Sequence, residues 1–107
     1  MRDTSITGLS QNTLDFIRSI LVQYQSVSQA VIFGSRAKGT FREGSDIDLC
    51  LKTDTGFSHE DLLHIRRAFD ESALPYEVDI LLYETLSNRD LVQHIQQVGI
   101  PVYNRQV

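Results

Sequence analysis

Two carboxylates one residue apart, Asp46 and Asp48, most constrain what this chain can fold into. They open a strand-like run that continues through residues 49–51. Alternate residues of a strand point to the same face, so the two carboxylates project side by side while Ile47 and Leu49 face a core. Like charges held this close need a neutralising partner. A divalent cation with oxygen ligands is the usual partner.

A glycine-serine turn precedes the two carboxylates. Gly34 and Ser35 directly follow the apolar run 30–33, which is typical of a buried strand. Such a turn leaves backbone N–H groups and a hydroxyl available to hold phosphate. Gly34 allows the backbone to approach a phosphate closely, and Ser35 offers its hydroxyl and its N–H. Paired metal ligands beside a phosphate-binding turn indicate a nucleotide.

The totals describe a small globular protein. A chain of 107 residues with 41% hydrophobic and 22% charged residues predicts one domain, 1–107, in which we expect residues 1–10 to be a flexible arm. No stretch is long enough to span a membrane, and the start lacks a signal-peptide pattern. The single cysteine, Cys50, fits a reducing cytoplasm and is expected to be buried. A net charge of −4 argues against direct nucleic-acid binding.

Apolar spacing and capping residues predict the elements. In order, they are a helix begun by Ser10 or Asn12, strand 30–33, a helical turn over 36–40, strand 46–52, a helix with Ser58 and Asp61 as capping box, strand 76–83, a helix begun by Ser87, and a short strand over 100–103. This order predicts an α/β (α+β) fold, a small mixed sheet with helices packed on it.

A third carboxylate, Asp79, lies within the apolar run 78–82. Judged alone, it fits a half-exposed strand whose polar residues face solvent. A charge among apolar residues is nevertheless costly when it has no partner. Together with Asp46 and Asp48, it favours a metal site built from three acids.

Basic residues in the loop after Ser35 are candidates for binding phosphate. We predict this role for Arg36, which directly follows the turn, and for Lys38, with Arg42 as a weaker candidate; a solvated loop charge is the alternative for each. The three histidines lack metal-ligand spacing and are expected to be solvated; they are His59, His64 and His94.

The spacing of these motifs is also familiar. Gly34-Ser35, followed after ten residues by Asp46-Ile47-Asp48, resembles the signature of the DNA polymerase β nucleotidyltransferase superfamily. The short chain is similar to the minimal nucleotidyltransferases (MNT), the antitoxin partners of HEPN-domain toxins. The resemblance covers nearly the whole chain, most strongly 31–51 and 77–82. It implies a polymerase β-type fold in which Asp79 completes the metal site.

The resemblance also implies a reaction. Two Mg²⁺ ions would be bridged by Asp46 and Asp48, one of them bound also by Asp79, and Ser35 would hold the β or γ phosphate. Asp79 would either take the proton of the attacking hydroxyl or only anchor its ion. AMP would move from ATP to a tyrosine of a cytoplasmic HEPN toxin and silence it.

Two other functions remain open from the sequence. The chain could be an antitoxin that neutralises its partner by contact, with a regulatory or idle nucleotide site. It could also be an enzyme that nucleotidylates a hydroxyl of a small molecule. The complete set of three acids favours catalysis over contact alone.

Overall fold

A four-stranded mixed sheet forms the centre of the computed structural model, which describes residues 4–105. The α-helices are α1 Gln11–Leu21, α2 Gly34–Lys38, α3 His59–Asp70 and α4 Arg89–Val98, and the strands are β1 Val27–Phe33, β2 Ile47–Thr53, β3 Val78–Leu82 and β4 Ile100–Asn104. Short 3-10 helices span Thr4–Thr7 and Tyr83–Thr85. The predicted order of helices and strands is confirmed.

The strand order of the sheet is β3-β2-β1-β4. Strand β1 is antiparallel to both β2 and β4, whereas β2 and β3 are parallel. In this register Asp48 pairs with Phe33 on one side and with Asp79 on the other. The end of β1 and the starts of β2 and β3 therefore meet at one edge of the sheet. The predicted α+β architecture with a mixed sheet is confirmed.

Helices cover both faces of this sheet, so neighbouring residues of β2 enter two different cores. Ile47 and Leu49 are fully buried in the larger core, beneath α1 and α3, as predicted. Cys50 is buried on the opposite face with Ile95 of α4. Burial on both faces explains the continuous apolar run of residues 49–51 in the middle of β2.

Side-chain caps fix where the helices begin. The Ser10 side chain accepts a hydrogen bond from the N–H of Thr13, and Ser58 forms the predicted capping box with Asp61. The prediction for α4 is wrong by one residue. Asn88, not Ser87, caps this helix, because its side chain accepts the N–H of Leu91.

The start of the chain departs from the prediction. Residues 4–10, expected to be a flexible arm, fold onto the body: Thr7 is buried and Leu9 belongs to the larger core. The remainder of the predicted arm, residues 1–3, lies outside the described residues. Strand β1 begins at Val27 rather than residue 30, because its polar residues pair with β2 through Gln29 and Lys52. Within residues 4–105, the helices are all too short or too polar to cross a membrane.

Candidate active site

The three predicted acids gather where β2 and β3 begin. Asp48 lies in β2 directly opposite Asp79 in β3, and Asp46 stands immediately before β2. Asp46 and Asp79 are exposed, while Asp48 is half-buried. Parallel pairing of the two strands therefore brings residues 31 positions apart in sequence side by side.

Electrostatics show that these carboxylates repel one another. The pKa of Asp48 is raised, first by its burial and then by the negative charges of Asp79 and Asp46. A cation between the acids would relieve this repulsion.

The chemistry of the donor set fits a hard divalent ion. Asp46, Asp48 and Asp79 supply only carboxylate oxygens, the ligands that Mg²⁺ prefers. Among the residues from 4 to 105, however, no three His, Cys, Asp or Glu side chains are arranged around a single metal position. The arrangement defines a carboxylate cluster of the right chemistry, and its loading with metal belongs to the proposal below.

Gly34 links β1 to α2 and passes directly against the cluster. Its φ of +72° lies in the left-handed region that favours glycine. A Cβ at this position would lie 2.3 Å from Oδ2 of Asp48. Only glycine lets the backbone lie this close to the carboxylate. Ser35 follows it, half-buried in the first turn of α2.

His94 of α4 belongs to the site, so the prediction that it is solvated is wrong. The backbone N–H of Gly34 donates a hydrogen bond to its Nε2, with a nitrogen–nitrogen distance of 2.9 Å. Its ring also packs edge-on against Phe33, with ring centres 6.3 Å apart. A signal was present in the sequence, because His94 lies three residues after Leu91 and one before Ile95, on the stripe that faces the sheet. The other two histidines, His59 and His64, are exposed on α3 as predicted.

Arg36 has a role that the sequence did not indicate. Its guanidinium donates to the carbonyl oxygen of Ser45 through Nε at 3.1 Å and Nη2 at 2.8 Å, and to that of Thr7 through Nη1 at 2.8 Å. It also stacks between the rings of Phe41 and Tyr76, at 4.8 Å and 4.7 Å. Only 2% of the Arg36 surface is exposed, and its hydrogen bonds connect the loop before β2 to the start of the chain at Thr7. This geometry does not support the predicted phosphate-binding role.

Two other basic residues remain accessible near the turn. Lys38, in the last turn of α2, and Arg42, in the following loop, are both exposed. Their side chains can therefore meet a negatively charged ligand without being withdrawn from a core. Of the predicted phosphate-binding residues, Gly34 lies against the carboxylate of Asp48, Ser35 follows it in the first turn of α2, and Lys38 is exposed in the last turn of that helix.

A cavity of about 540 Å³ opens in front of the cluster. Asp48 and Asp79 line it on the sheet side, and Arg66 and Asp70 of α3 line it on the other. Arg66 also donates through Nη2 to the carbonyl oxygen of Ile80 at 3.3 Å, which covers part of the edge of β3. The carboxylates therefore face a space in which a substrate can reach them.

Carboxylates on adjacent strands, pressed against a glycine-serine turn beside an open cavity, define the class of enzymes that transfer nucleotides. The family model described as Polymerase beta, Nucleotidyltransferase matches residues 15–107, and the chain belongs to this family. The polymerase β-type fold and the enzymatic class predicted from the sequence are both confirmed.

Known proteins and solved structures are similar to this chain. A Haemophilus influenzae protein named probable protein adenylyltransferase MntA is 29% identical over 98 residues, which are 92% of this chain and 85% of the relative. A crystal structure of a toxin–antitoxin with AMP-PNP has a TM-score of 0.69 at 22% identity, covering 87% of this chain and 74% of the matched one. A rebuilt structure of tri-AMPylated Shewanella oneidensis HEPN toxin in complex with MNT antitoxin has a TM-score of 0.65 at 17% identity, covering 91% and 74%. The structural matches show a shared fold.

Proposed function

We propose that this chain is a Mg²⁺-dependent adenylyltransferase that moves AMP from ATP to a tyrosine hydroxyl of a HEPN-domain toxin and thereby acts as its antitoxin. The observation that carries the proposal is the placement of Asp48 against both Gly34 and Asp79. In this arrangement the glycine-serine turn adjoins the carboxylates, which supports a site for nucleotidyl transfer. The names of the relatives support the choice of AMP and of a toxin as acceptor.

Each site residue has a part in binding. Ser35 donates its hydroxyl and N–H to the β or γ phosphate, Gly34 allows the close approach, and Lys38 adds positive charge. Asp46, Asp48 and Asp79 would hold two Mg²⁺ ions. When bound, Mg²⁺ neutralises phosphate charge and makes the attacking hydroxyl more acidic.

The reaction is a displacement at the α-phosphorus of ATP. The tyrosine oxygen forms a bond to this phosphorus, the bond to the β-phosphate oxygen breaks, and pyrophosphate leaves. The hydroxyl proton goes to the carboxylate of Asp79. We assign it to Asp79 because that side chain is exposed in the cavity, whereas Asp48 is half-buried against Gly34.

The partner is proposed from the resemblance to toxin–antitoxin proteins. A HEPN toxin would bring its tyrosine to the open side of the cavity, where Asp79 lies. Both proteins would meet in the cytoplasm, a compartment that suits a lone buried thiol such as that of Cys50.

Intact-mass spectrometry tests the proposal. The chain is incubated with ATP, Mg²⁺ and its proposed HEPN partner, in parallel with the Asp46→Asn/Asp48→Asn double variant. We expect one or more AMP masses on the HEPN protein with the wild type and none with the variant. Peptide mapping is then expected to locate the AMP on a tyrosine. An unmodified HEPN protein that is still bound and silenced would overturn the proposal in favour of inhibition by contact.

A further inference from the structure

His94 contacts the phosphate-binding turn but has no part in the reaction above. We propose that His94 is a positioning residue that fixes the Gly34–Ser35 turn in the form that binds the nucleotide triphosphate. This inference rests on the proposed function, because it concerns the affinity of the same site for nucleotide. It assigns a role to α4, an element outside the sequence motif that marks the site.

Gly34 is held from two sides. Its N–H is bonded to Nε2 of His94, and its Cα faces the carboxylate of Asp48. The turn is also tied further along, since the carbonyl of Ser35 accepts the N–H groups of Gly39 and Thr40. The His94 bond holds the peptide before Gly34, and the bonds to the Ser35 carbonyl hold the peptide after Ser35, so the two together restrict the Gly34–Ser35 peptide that carries the Ser35 N–H. Without the His94 bond, the only glycine in this turn regains its conformational freedom on the N-terminal side.

The imidazole is itself well placed for this role. Its edge-on contact with Phe33 orients the ring, and the adjacent Ile95 anchors α4 in the smaller core. Because Nε2 accepts the hydrogen bond, the ring proton sits on Nδ1. A preformed acceptor at this position lowers the ordering that nucleotide binding must otherwise impose on the turn.

An opposite role is the clearest rival. His94 could compete with phosphate for the Gly34 N–H, in which case removing the imidazole would strengthen nucleotide binding. The geometry favours positioning, because Gly34 is covered by His94 on its N–H side and by Asp48 on its Cα side. A phosphate therefore meets Ser35 rather than Gly34.

Calorimetric titration with Mg²⁺ and a non-hydrolysable ATP analogue tests the inference. His94→Leu removes the acceptor, while His94→Gln keeps an acceptor oxygen at a similar reach. We expect the Kd of His94→Leu to rise about threefold to tenfold, the effect of one lost neutral hydrogen bond. His94→Gln is expected to stay close to the wild type. His64→Leu, a change at an exposed histidine of α3, is the matched control and is expected to leave the Kd unchanged.

The Gly34 amide resonance in an NMR spectrum reports the hydrogen bond directly. We expect its proton to move upfield in His94→Leu and to stay near its wild-type position in His94→Gln. An unchanged or lower Kd for a folded His94→Leu would overturn the positioning role while leaving the proposed function standing. A wild type that does not bind the analogue would instead overturn the proposed function. If His94→Leu fails to fold, weak binding by a folded His94→Gln with an unmoved Gly34 resonance would overturn the role.

Discussion

The Cα of Gly34 faces the carboxylate of Asp48 so closely that an added Cβ would lie 2.3 Å from Oδ2. This contact joins the two halves of the sequence motif, the turn after β1 and the acids of β2. It makes glycine a requirement of the site rather than of the turn alone. The left-handed φ of +72° adds a second reason, since residues that carry a Cβ rarely adopt this backbone conformation.

Gly34→Ala is therefore expected to cost both stability and activity. The methyl group must displace the Asp48 carboxylate, and alanine pays about 1 to 2 kcal/mol for the left-handed backbone. Gly44→Ala is the matched control, because Gly44 has a φ of +82° and nothing within 4 Å of its Cβ position. In urea unfolding we expect both variants to be less stable than wild type and Gly34→Ala to lose more, because of its contact with Asp48. We expect loss of AMP transfer only in Gly34→Ala. Full activity of Gly34→Ala would contradict this account of the contact.

Arg36 is expected to contribute more to folding stability than to phosphate binding. Arg36→Met leaves the carbonyls of Thr7 and Ser45 without their donor, and we expect the free energy of unfolding to fall by about 2 to 4 kcal/mol. Lys38→Met, at an exposed position, is expected to leave the free energy of unfolding unchanged and to weaken nucleotide binding. Denaturant titration and nucleotide titration of both variants separate the two roles. A stable Arg36→Met with weakened nucleotide binding would restore the phosphate-binding role predicted from the sequence.

The negative charge of Asp48 is expected to destabilise the folded protein at neutral pH. A folded-state pKa above the ordinary carboxyl value means that the folded protein binds the proton more tightly than the unfolded chain does. The resulting stability is present below about pH 4 and is lost as the pH rises through the raised pKa. In metal-free buffer, Asp48→Asn should therefore have a higher Tm than wild type at pH 7.

The pH dependence of this difference checks its cause. The gain in Tm from Asp48→Asn should shrink as the pH falls towards about 4, where the wild-type carboxyl also becomes neutral. Glu43→Gln is the control, since Glu43 is an exposed acid in the loop before β2, and its Tm should follow the wild type. A gain that stays constant across this range would show that charge is not the cause.

Cys50 is expected to be unreactive in the folded protein. Burial, followed by the negative charge of Glu84, raises the pKa of its thiol to about 11, and its side chain is fully enclosed in the smaller core. The thiolate is the reactive form, so alkylation by iodoacetamide at pH 8 should proceed only as the chain unfolds. Mass spectrometry of samples with and without urea measures the labelling. Rapid labelling of the folded protein would place Cys50 in an accessible environment.

The core elements of this protein can be predicted from its sequence because they depend on local patterns. Alternation places Ile47 and Leu49 in one core, and the spacing from Gly34 to Asp46 predicts which residues form the candidate site. The roles of Arg36 and His94 depend on contacts across the chain, with Thr7 and Gly34 as their partners. No local pattern encodes such contacts, so the sequence alone predicts a ligand contact for an arginine that in the structure stabilises the fold.

The transfer of radiolabel from ATP tests the central claim most directly. ATP labelled at the α-phosphate is compared with ATP labelled at the γ-phosphate, each with Mg²⁺ and the proposed HEPN partner, using wild type and Asp48→Asn. The account predicts that the α-label alone reaches the HEPN protein, and that Asp48→Asn lowers the rate at least about a hundredfold, because a carboxylate that would hold the metal is lost. Transfer of the γ-label, or an α-label rate that Asp48→Asn leaves unchanged, would contradict nucleotidyl transfer by this carboxylate cluster.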